Sequence, residues 1–259
     1  MLDQRSKDLR RLIIKLIETG RRGHIGPAGS LVEVLRVLYD DWLNVRPTQP
    51  DWTERDRFIL SKGHGCLALY SVFAKMGIIP KEELNTFCKY DSRLGGHPHS
   101  GKMKEIYSSS GSLGHGLPMA VGVALAKKIS NCPGRVFCLI GDGESNEGTI
   151  WESFLLANNL NLDNLVCLVD DNNSQVRSLP MEAIEKKIEQ FGWSVETCNG
   201  HDQEEIKLKL KKQDSPLCLV CKTIKGKGFR SMEDNMFAWH HGPPSDDQLK
   251  ILLKELEDA

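Results

Sequence analysis

The sequence predicts an α/β fold, a doubly wound and mostly parallel sheet with helices on both faces. Apolar runs such as RVFCLI (135–140) and NLVCLV (164–169) show no polar alternation, and segments with helical spacing separate them. Such runs are typical of strands buried on both faces of a parallel sheet. Strands that alternate with helices indicate βαβ units. Because the 259 residues contain no repeat, low-complexity segment or convincing linker, we expect a single domain over 1–259.

The same patterns place the individual elements. The predicted strands lie within 57–61, 135–143, 164–173, 193–200 and 216–228. The predicted helices span 5–19, 30–43, 66–76, 117–130, 149–160, 181–192, 203–213 and 245–258. The glycine and serine content of 91–116 is typical of exposed loops.

Charge and hydropathy exclude several classes of function. Lys plus Arg is 34 and Asp plus Glu is 35, so no basic excess favours nucleic acid or an anionic membrane. No apolar run approaches the roughly 20 residues that span a bilayer. The charged N-terminus reads as an amphipathic helix and not as a signal peptide. We therefore expect a cytoplasmic protein.

The eight cysteines favour structural roles. The only close pair, Cys218 and Cys221, lies in the apolar run PLCLVCKTI. Side chains three apart on a strand point to opposite faces, so this pair is poorly placed to share a metal. We interpret the cysteines as small buried hydrophobic residues in a reducing compartment.

Polar clusters follow two neighbouring predicted strands. Asp142 comes after one strand in GDGESNEG, and Asn172 comes after the next in DDNNS. Both should emerge at the same edge of the sheet, where ligands bind in this class of fold. Carboxylate and amide oxygens suit Mg²⁺ or Ca²⁺, and two protein ligands leave room for phosphate oxygens. Gly141 and Gly143 would allow a diphosphate to approach the backbone closely. The alternative, an ordinary turn or helix cap, is weakened by the pairing of the two clusters.

The two clusters together resemble the thiamine diphosphate-binding motif, which begins with GDG and ends in Asn some thirty residues later. From about residue 10 to 245 the chain resembles the N-terminal, diphosphate-binding half of transketolase. Six further stretches occur in the order of that family: GHIGPAGS (23–30), RDRFILSKGHGCLALY (55–70), GGHPH (95–99), SSGSLGHGLPMAVGVALA (109–126), KTIKGKGF (222–229) and WHHG (239–242).

The resemblance implies a set of cofactor residues. Asp142, Asn172 and the backbone carbonyl of Ser174 would bind Mg²⁺, for which Ca²⁺ or Mn²⁺ could substitute. Gly143 would contact the diphosphate. Glu147 matches an acidic residue that, in transketolases, joins a carboxylate network linking paired active sites.

The loop before the predicted helix at 117–130 would also contact the cofactor. The residues of this loop that would contact the cofactor are Gly111, Ser112, Leu113 and His115. His115 stands where many full-length transketolases have glutamine, and both side chains can form hydrogen bonds. Glu144 and Asn146 match no functional residue of the family, so we expect both to face solvent.

Six of the eight histidines adjoin a glycine and lie in predicted loops. Imidazole titrates near neutrality, so such positions suit proton transfer. By resemblance, His24, His64 and His97 would line the active-site channel, with His64 also contacting the cofactor. They would contact the diphosphate or move protons on the hydroxyls of the donor sugar.

The fourth family histidine is either His240 or His241, and the spacing to Pro244 favours His240. His99 and His201 are expected to be ordinary exposed loop histidines. No histidine and cysteine cluster has the spacing of a zinc site.

The resemblance also implies a partner. In transketolases, a glutamate of a second, pyrimidine-binding domain activates the cofactor, and nothing in 1–259 resembles that domain. We expect a C-terminal transketolase subunit to supply this domain, the glutamate and most sugar contacts, in an α2β2 heterotetramer. The reaction would transfer a two-carbon ketol unit from a ketose, by default a phosphate, to an aldose.

Three other interpretations remain open. The thiamine-binding subunit of a 2-oxo acid dehydrogenase shares the cofactor motif, but SKGHG, GHP and GSLGHG favour transketolase. A non-catalytic regulatory module could retain the fold, although the metal pair and loop histidines argue against it. A generic nucleotide-binding domain is disfavoured because no GxxxxGK[ST] or GxGxxG follows a strand.

Overall fold

A parallel sheet of five strands, in the order β1-β2-β3-β5-β4, forms the centre of the molecule. The computed structural model describes residues 2–177, 179–211 and 214–259. The strands are β1 (Arg57–Leu60), β2 (Val136–Gly141), β3 (Leu165–Asp171), β4 (Ser194–Asn199) and β5 (Leu217–Lys222). Every neighbouring pair is parallel, which confirms the predicted fold class.

Helices connect the strands and cover both faces of the sheet. They are α1 (Gln4–Gly20), α2 (Ile25–Ser30), α3 (Val32–Val37), α4 (Cys66–Lys75), α5 (Gly116–Ile129), α6 (Gly148–Asn159), α7 (Ile184–Glu189), α8 (Gln203–Lys209), α9 (Arg230–Asp234) and α10 (Asp246–Asp258). Within the described residues, no helix has both the length and the apolar character needed to cross a membrane.

Three predicted helices differ from the structure, and one short helix was not predicted. The segment predicted as one helix over 30–43 is α3 followed by a π-helical turn, Leu38–Trp42, and its first residue, Ser30, ends the separate helix α2. The helix predicted over 181–192 is reduced to α7, because Ala183 before it adopts a left-handed conformation with φ 49°. The helix predicted over 203–213 is α8, which ends at Lys209, and residues 212 and 213 lie outside the described residues. The short helix α9 was not predicted.

Strand side chains alternate between two hydrophobic cores. Phe137 and Leu139 of β2 pack with α1 to α4, α8 and α10, whereas Cys138 and Ile140 pack with α5, α6 and α7. Cys218 and Cys221 fall in different cores, as predicted from their spacing. All eight cysteines are free, and six are buried.

A buried ion pair joins α1 to α3. Arg10 is 0 % exposed and donates to both carboxylate oxygens of Glu33, at 2.7 and 2.9 Å. Its guanidinium also donates to the carbonyls of Gly29, at 3.0 Å, and Lys227, at 2.6 Å. A planar guanidinium with several donors can satisfy all of these acceptors at once. Arg10 therefore ties the segment after β5 to the N-terminal helices.

His201 extends this cluster, and the expectation that it is an ordinary exposed histidine is wrong. Its side chain is 10 % exposed, and its Nδ1 lies 3.0 Å from Glu33 Oε2. The Ile224 N–H donates to its Nε2 at 2.8 Å, so Nδ1 must carry the proton given to Glu33. His201 thus helps to hold the segment that carries Lys225 to the edge of the sheet.

Replacement of Arg10 by Met tests this cluster. The change leaves Glu33 buried without its cation, so the free energy of unfolding should fall by about 3–5 kcal/mol. Arg11→Met is the matched control, because Arg11 pairs with Asp8 at the surface and its side chain is 38 % exposed. The control should cost less than about 1 kcal/mol in urea unfolding. Equal losses for both variants would contradict the assignment.

Candidate active site

The polar segments predicted from the sequence meet at the carboxyl edge of the sheet, where ligands bind in this fold class. Lys62 follows β1, Asp142 follows β2, and Asn172 follows β3. Lys225 follows β5. The N–H of Asp142 donates to the carbonyl of Asp170 at 3.1 Å, which extends the contact between β2 and β3 into the two loops.

Asp142 and Asn172 converge on one point. The Ser174 N–H lies 2.8 Å from Asp142 Oδ2 and 3.1 Å from Asn172 Oδ1. The hydroxyl of Ser174 donates to Asp142 Oδ1 at 3.1 Å, and the Gly143 N–H donates to the same oxygen at 2.7 Å. The two predicted metal ligands are therefore adjacent, held by backbone and hydroxyl donors.

The chemistry of this pair fits a hard divalent cation. Asp142 is 2 % exposed, and burial together with the charge of Asp170 raises the pKa of its carboxyl. A cation would offset that cost, because a nearby positive charge favours the ionised form. No group of three or more His, Cys, Asp or Glu side chains in the described ranges is arranged to hold a metal. A metal here would therefore rest on one carboxylate with amide and backbone oxygens.

Asp170 lies beneath this pair as a shared acceptor. It is 1 % exposed and accepts hydrogen bonds from Lys62 Nζ and Thr223 Oγ1. It also accepts from Ser30 Oγ at 2.8 Å and from Asn172 Nδ2 at 2.9 Å. Because the amide nitrogen of Asn172 faces Asp170, its oxygen is turned toward Asp142. Asp170 thus orients the amide and joins segments from α2, β1, β3 and β5.

Five histidines, all predicted as catalytic, form one cluster centred on His24. The ring centroid of His24 lies 4.7 Å from that of His241, 5.2 Å from His64, 5.5 Å from His240 and 6.1 Å from His97. The Nδ1 atom of His24 is buried and has no hydrogen-bond partner among the described residues. Since buried polar atoms are normally paired, this atom is available to form a hydrogen bond with a ligand.

Burial lowers the pKa of four imidazoles of this cluster, which favours their neutral form. Burial, followed by the neighbouring histidines, lowers the pKa of His24 from 6.5 to about 3. Burial and then the charge of Lys225 lower the pKa of His240 to about 4. Burial and then Lys62 also lower the pKa of His64. Burial and then Lys62 lower the pKa of Lys225 to about 8, and its Nζ lies 2.7 Å from His240 Nδ1.

The predicted cofactor loop lies against the histidine cluster, but His115 does not join it. A Cβ at Gly111, where φ is +147°, would lie 3.4 Å from the ring of His97. Glycine therefore allows the loop to pass close to that histidine. His115 is exposed, and its Nδ1 lies 3.0 Å from the carbonyl of Leu113 and 3.4 Å from Ser112 Oγ. Its imidazole thus turns back onto its own loop.

Glu144 is buried, so the expectation that it faces solvent is wrong. It is 2 % exposed and accepts hydrogen bonds from Ser61 Oγ, from the Gly114 N–H at 2.9 Å and from the Gly141 N–H at 3.2 Å. The tight 3₁₀ turn Gly143–Asn146 directs this side chain back under the loop. The spacing of residues in the sequence does not indicate that the Glu144 side chain points inward.

The other two acidic-loop residues lie nearer the surface. Asn146 is half-buried and donates to the carbonyl of Leu179 at 3.1 Å. Glu147 is exposed. Sequence reasoning missed Lys62, Asp170 and Lys225, although each stands in a motif that it singled out, near the carboxyl end of a strand.

The family of the chain is evident from its similarity to known proteins. The family model described as "Transketolase, thiamine diphosphate binding domain" matches residues 3–256. The chain belongs to the transketolase family. This confirms the resemblance read from the sequence motifs and favours it over the 2-oxo acid dehydrogenase and nucleotide-binding alternatives.

Relatives of similar length carry the names of transketolase subunits. The chain is 35 % identical to a subunit of the apulose-4-phosphate transketolase from Phocaeicola vulgatus, covering 99 % of this chain and 94 % of that protein. It is 36 % identical to a 6-deoxy-6-sulfo-D-fructose transketolase subunit from a Clostridium species, covering 99 % and 96 %. These relatives confirm the predicted assignment as a transketolase subunit that works with a partner.

The fold also matches a solved transketolase. Superposition on the enzyme from Campylobacter jejuni gives a TM-score of 0.89 at 30 % identity. The match covers 99 % of this chain and 43 % of that one. The present chain therefore spans less than half the length of that solved transketolase family member.

Titration of the histidines should reveal their environment. In an NMR titration we expect a pKa of about 3 for His24 and about 4 for His240, because burial opposes protonation of both. In the unfolded chain the same groups become protonated below about pH 6.5. The unfolded state then binds more protons, so the free energy of unfolding should fall as pH decreases from about 6.5 to 4. A pKa near 6.5 for His24 would contradict this description.

Proposed function

We propose that this chain is the diphosphate-anchoring subunit of a two-chain transketolase that uses thiamine diphosphate and Mg²⁺. Its proposed reaction is the transfer of a two-carbon ketol unit from a ketose donor to an aldose acceptor. The observation that carries the proposal is the convergence of five histidines beside the Asp142 and Asn172 pair. We also propose that residues 1–259 form a single diphosphate-binding domain.

The proposed metal ligands are Asp142, Asn172 and the backbone carbonyl of Ser174. Their hard oxygens suit Mg²⁺, which normally completes its octahedron with phosphate oxygens and water. Ca²⁺ or Mn²⁺ could replace it with the same ligands. Gly141 and Gly143 would face the diphosphate, because neither carries a side chain that would block its approach.

The proposed role of the histidines is to bind and to move protons. Neutral imidazoles can accept a proton at one nitrogen and donate one from the other. The buried, unpaired Nδ1 of His24 supports a direct contact with a ligand. Of the two adjacent candidates, we favour His240, because its hydrogen bond to Lys225 fixes its ring. When bound, thiamine diphosphate supplies the carbon nucleophile that carries the two-carbon unit.

Two lysines make the centre of the site attractive to anions. Lys62 is 1 % exposed and pairs with Asp170, and Lys225 is buried beside His240. Desolvated ammonium groups attract phosphate more strongly than exposed ones do. This charge supports the anchoring of a diphosphate between the histidine cluster and the metal pair.

The proposed partner is a C-terminal transketolase subunit with a pyrimidine-binding domain and the activating glutamate. The relatives named as subunits, and the longer solved transketolase, support a division of the enzyme into two chains. We propose an α2β2 heterotetramer. Exposed Glu147, next to the cofactor loop, is available for the carboxylate network between paired sites.

The proposed substrates are small sugars, with a sugar phosphate as the default donor. One relative is named for apulose-4-phosphate and another for 6-deoxy-6-sulfo-D-fructose. Those names differ in the sugar but share an anionic group. We therefore propose an anionic ketose as the donor class.

Replacement of Asp142 by Asn tests the metal pair. The variant removes the charged ligand while preserving shape, so Mg²⁺-dependent binding of thiamine diphosphate should weaken by at least about 100-fold, beyond the roughly 10–100-fold cost of changes to outer-shell partners. Asp163→Asn is the control, because Asp163 lies just before β3, at the opposite edge, with its side chain 44 % exposed. Calorimetric titration measures both. Unchanged affinity in Asp142→Asn would refute the metal assignment.

The requirement for a partner is tested with the purified chain. Ketol transfer should be absent with this chain alone, at saturating thiamine diphosphate and Mg²⁺, and should appear when the C-terminal subunit is added. A coupled assay of aldose release from a ketose phosphate measures the activity. Robust ketol transfer by the chain alone would refute the two-chain proposal.

A further inference from the structure

We infer that Glu144 is a positioning residue that holds three cofactor-binding segments in one arrangement. The inference rests on the proposed function, because it assigns Glu144 a role in the affinity for thiamine diphosphate and Mg²⁺. Glu144 acts through the backbone and a hydroxyl group, and not through a contact of its own with the cofactor. Nothing in the sequence motifs assigns it this role.

Each of the three donors to Glu144 belongs to a different segment of the site. Ser61 directly follows β1, Gly114 belongs to the loop before α5, and Gly141 ends β2. Ser61 and Gly114 donate to Oε1, whereas Gly141 donates to Oε2. Both oxygens of one buried carboxylate are therefore engaged by groups that come from well-separated parts of the chain. Such a carboxylate fixes the relative positions of its donors.

The hydroxyl of Ser61 adds a second link to the same loop. While it donates to Glu144, its oxygen accepts from the Gly116 N–H at 3.0 Å. Gly116 begins α5, so the start of that helix is tied to the end of β1. Lys62, the next residue after Ser61, pairs with Asp170 under the metal pair. The position of Ser61 therefore affects both the start of α5 and the Lys62–Asp170 pair under the proposed metal ligands.

Gly114 is held from two sides. Its N–H donates to Glu144 at 2.9 Å, and its carbonyl accepts from Thr149 Oγ1 at 2.7 Å. Its φ is +82°, and a Cβ there would lie 2.6 Å from the Cβ of Glu147. Only glycine fits this position, and the loop before α5 cannot shift without breaking one of the two hydrogen bonds. These two hydrogen bonds therefore hold the loop against the turn that carries Asp142.

The ionised form of Glu144 matches its surroundings. A carboxylate only accepts hydrogen bonds, and three donors face it. Glutamine would keep one acceptor oxygen but would present an NH₂ group to an N–H donor. One backbone donor would then lose its partner in a buried place, which weakens the hold on its segment. Glu144→Gln should therefore loosen the loop without creating a cavity.

The test compares thiamine diphosphate binding by the wild type, Glu144→Gln and a matched control. Titration calorimetry with saturating Mg²⁺ is done on the chain alone and with its partner subunit. We expect Kd for Glu144→Gln to rise at least about 10-fold, as for outer-shell partners of metal sites. At saturating cofactor, kcat should stay within about twofold of the wild type. Glu189→Gln, an exposed site at the end of α7, should bind like the wild type.

A second variant covers the case in which Glu144→Gln does not fold. Thr149→Val removes the hydrogen bond to the carbonyl of Gly114 and leaves Glu144 in place. Because it loosens the same loop from the other side, it should also raise Kd, and by less. Its hydroxyl is not among the proposed ligands, so the effect must pass through the loop.

The possible results distinguish a failure of the role inferred for Glu144 from a failure of the proposed function. If the wild type does not bind thiamine diphosphate with Mg²⁺, alone or with the partner, the proposed function itself fails. If the wild type binds and both loop variants bind with unchanged Kd, the role of Glu144 is overturned. A lower stoichiometry at unchanged Kd would show only a loss of folded chains, and it would overturn the inference as well.

Discussion

The buried carboxylate of Asp170 is the group on which the geometry of the site depends. It receives hydrogen bonds from segments that follow β1 and β5, from α2, and from the amide of Asn172. Lys62 balances its charge, and removal of either partner would leave the other ion buried without compensation. The Arg10 and Glu33 pair serves a similar purpose farther from the site, where it ties the segment after β5 to α1 and α3. Two buried ion pairs thus hold the loops that a parallel sheet leaves at its carboxyl edge.

The site divides into an acidic part and a basic part. Asp142 and Asn172 present oxygen atoms, whereas burial keeps His24 and His240 neutral near Lys225. Such a division suits a ligand that combines a divalent cation with an anionic group, as the magnesium salt of a diphosphate does. The same burial that lowers the pKa of His24 and His240 strengthens each charge interaction in the site. These features support the proposed cofactor.

Much of the site could be predicted from the sequence, because its motifs lie at strand ends. The strand runs are strongly apolar, and parallel strands bring their carboxyl ends to one edge whatever lies between them. The grouping of five histidines followed from family motifs that are distant in sequence. By contrast, Lys62 and Asp170 were not predicted. A charged residue near the end of a strand is usually interpreted as solvent-exposed, and only the structure shows that these two form a buried pair. His201 was misjudged for the same reason, since Glu33 lies in a helix far from it in the chain.

The sequence by itself determined the fold class, the transketolase family and the segments that build the site, because periodicity and motif order are local properties of the chain. Tertiary structure alone decided how those segments are held together. In GDGESNEG, the sequence marks Asp142, but a single tight turn decides that Glu144 points inward to Ser61 and Gly114. The direction of a side chain in a turn depends on which donors the rest of the fold brings within reach. Buried hydrogen bonds between distant segments are therefore visible only once the sheet and its loops have been assembled.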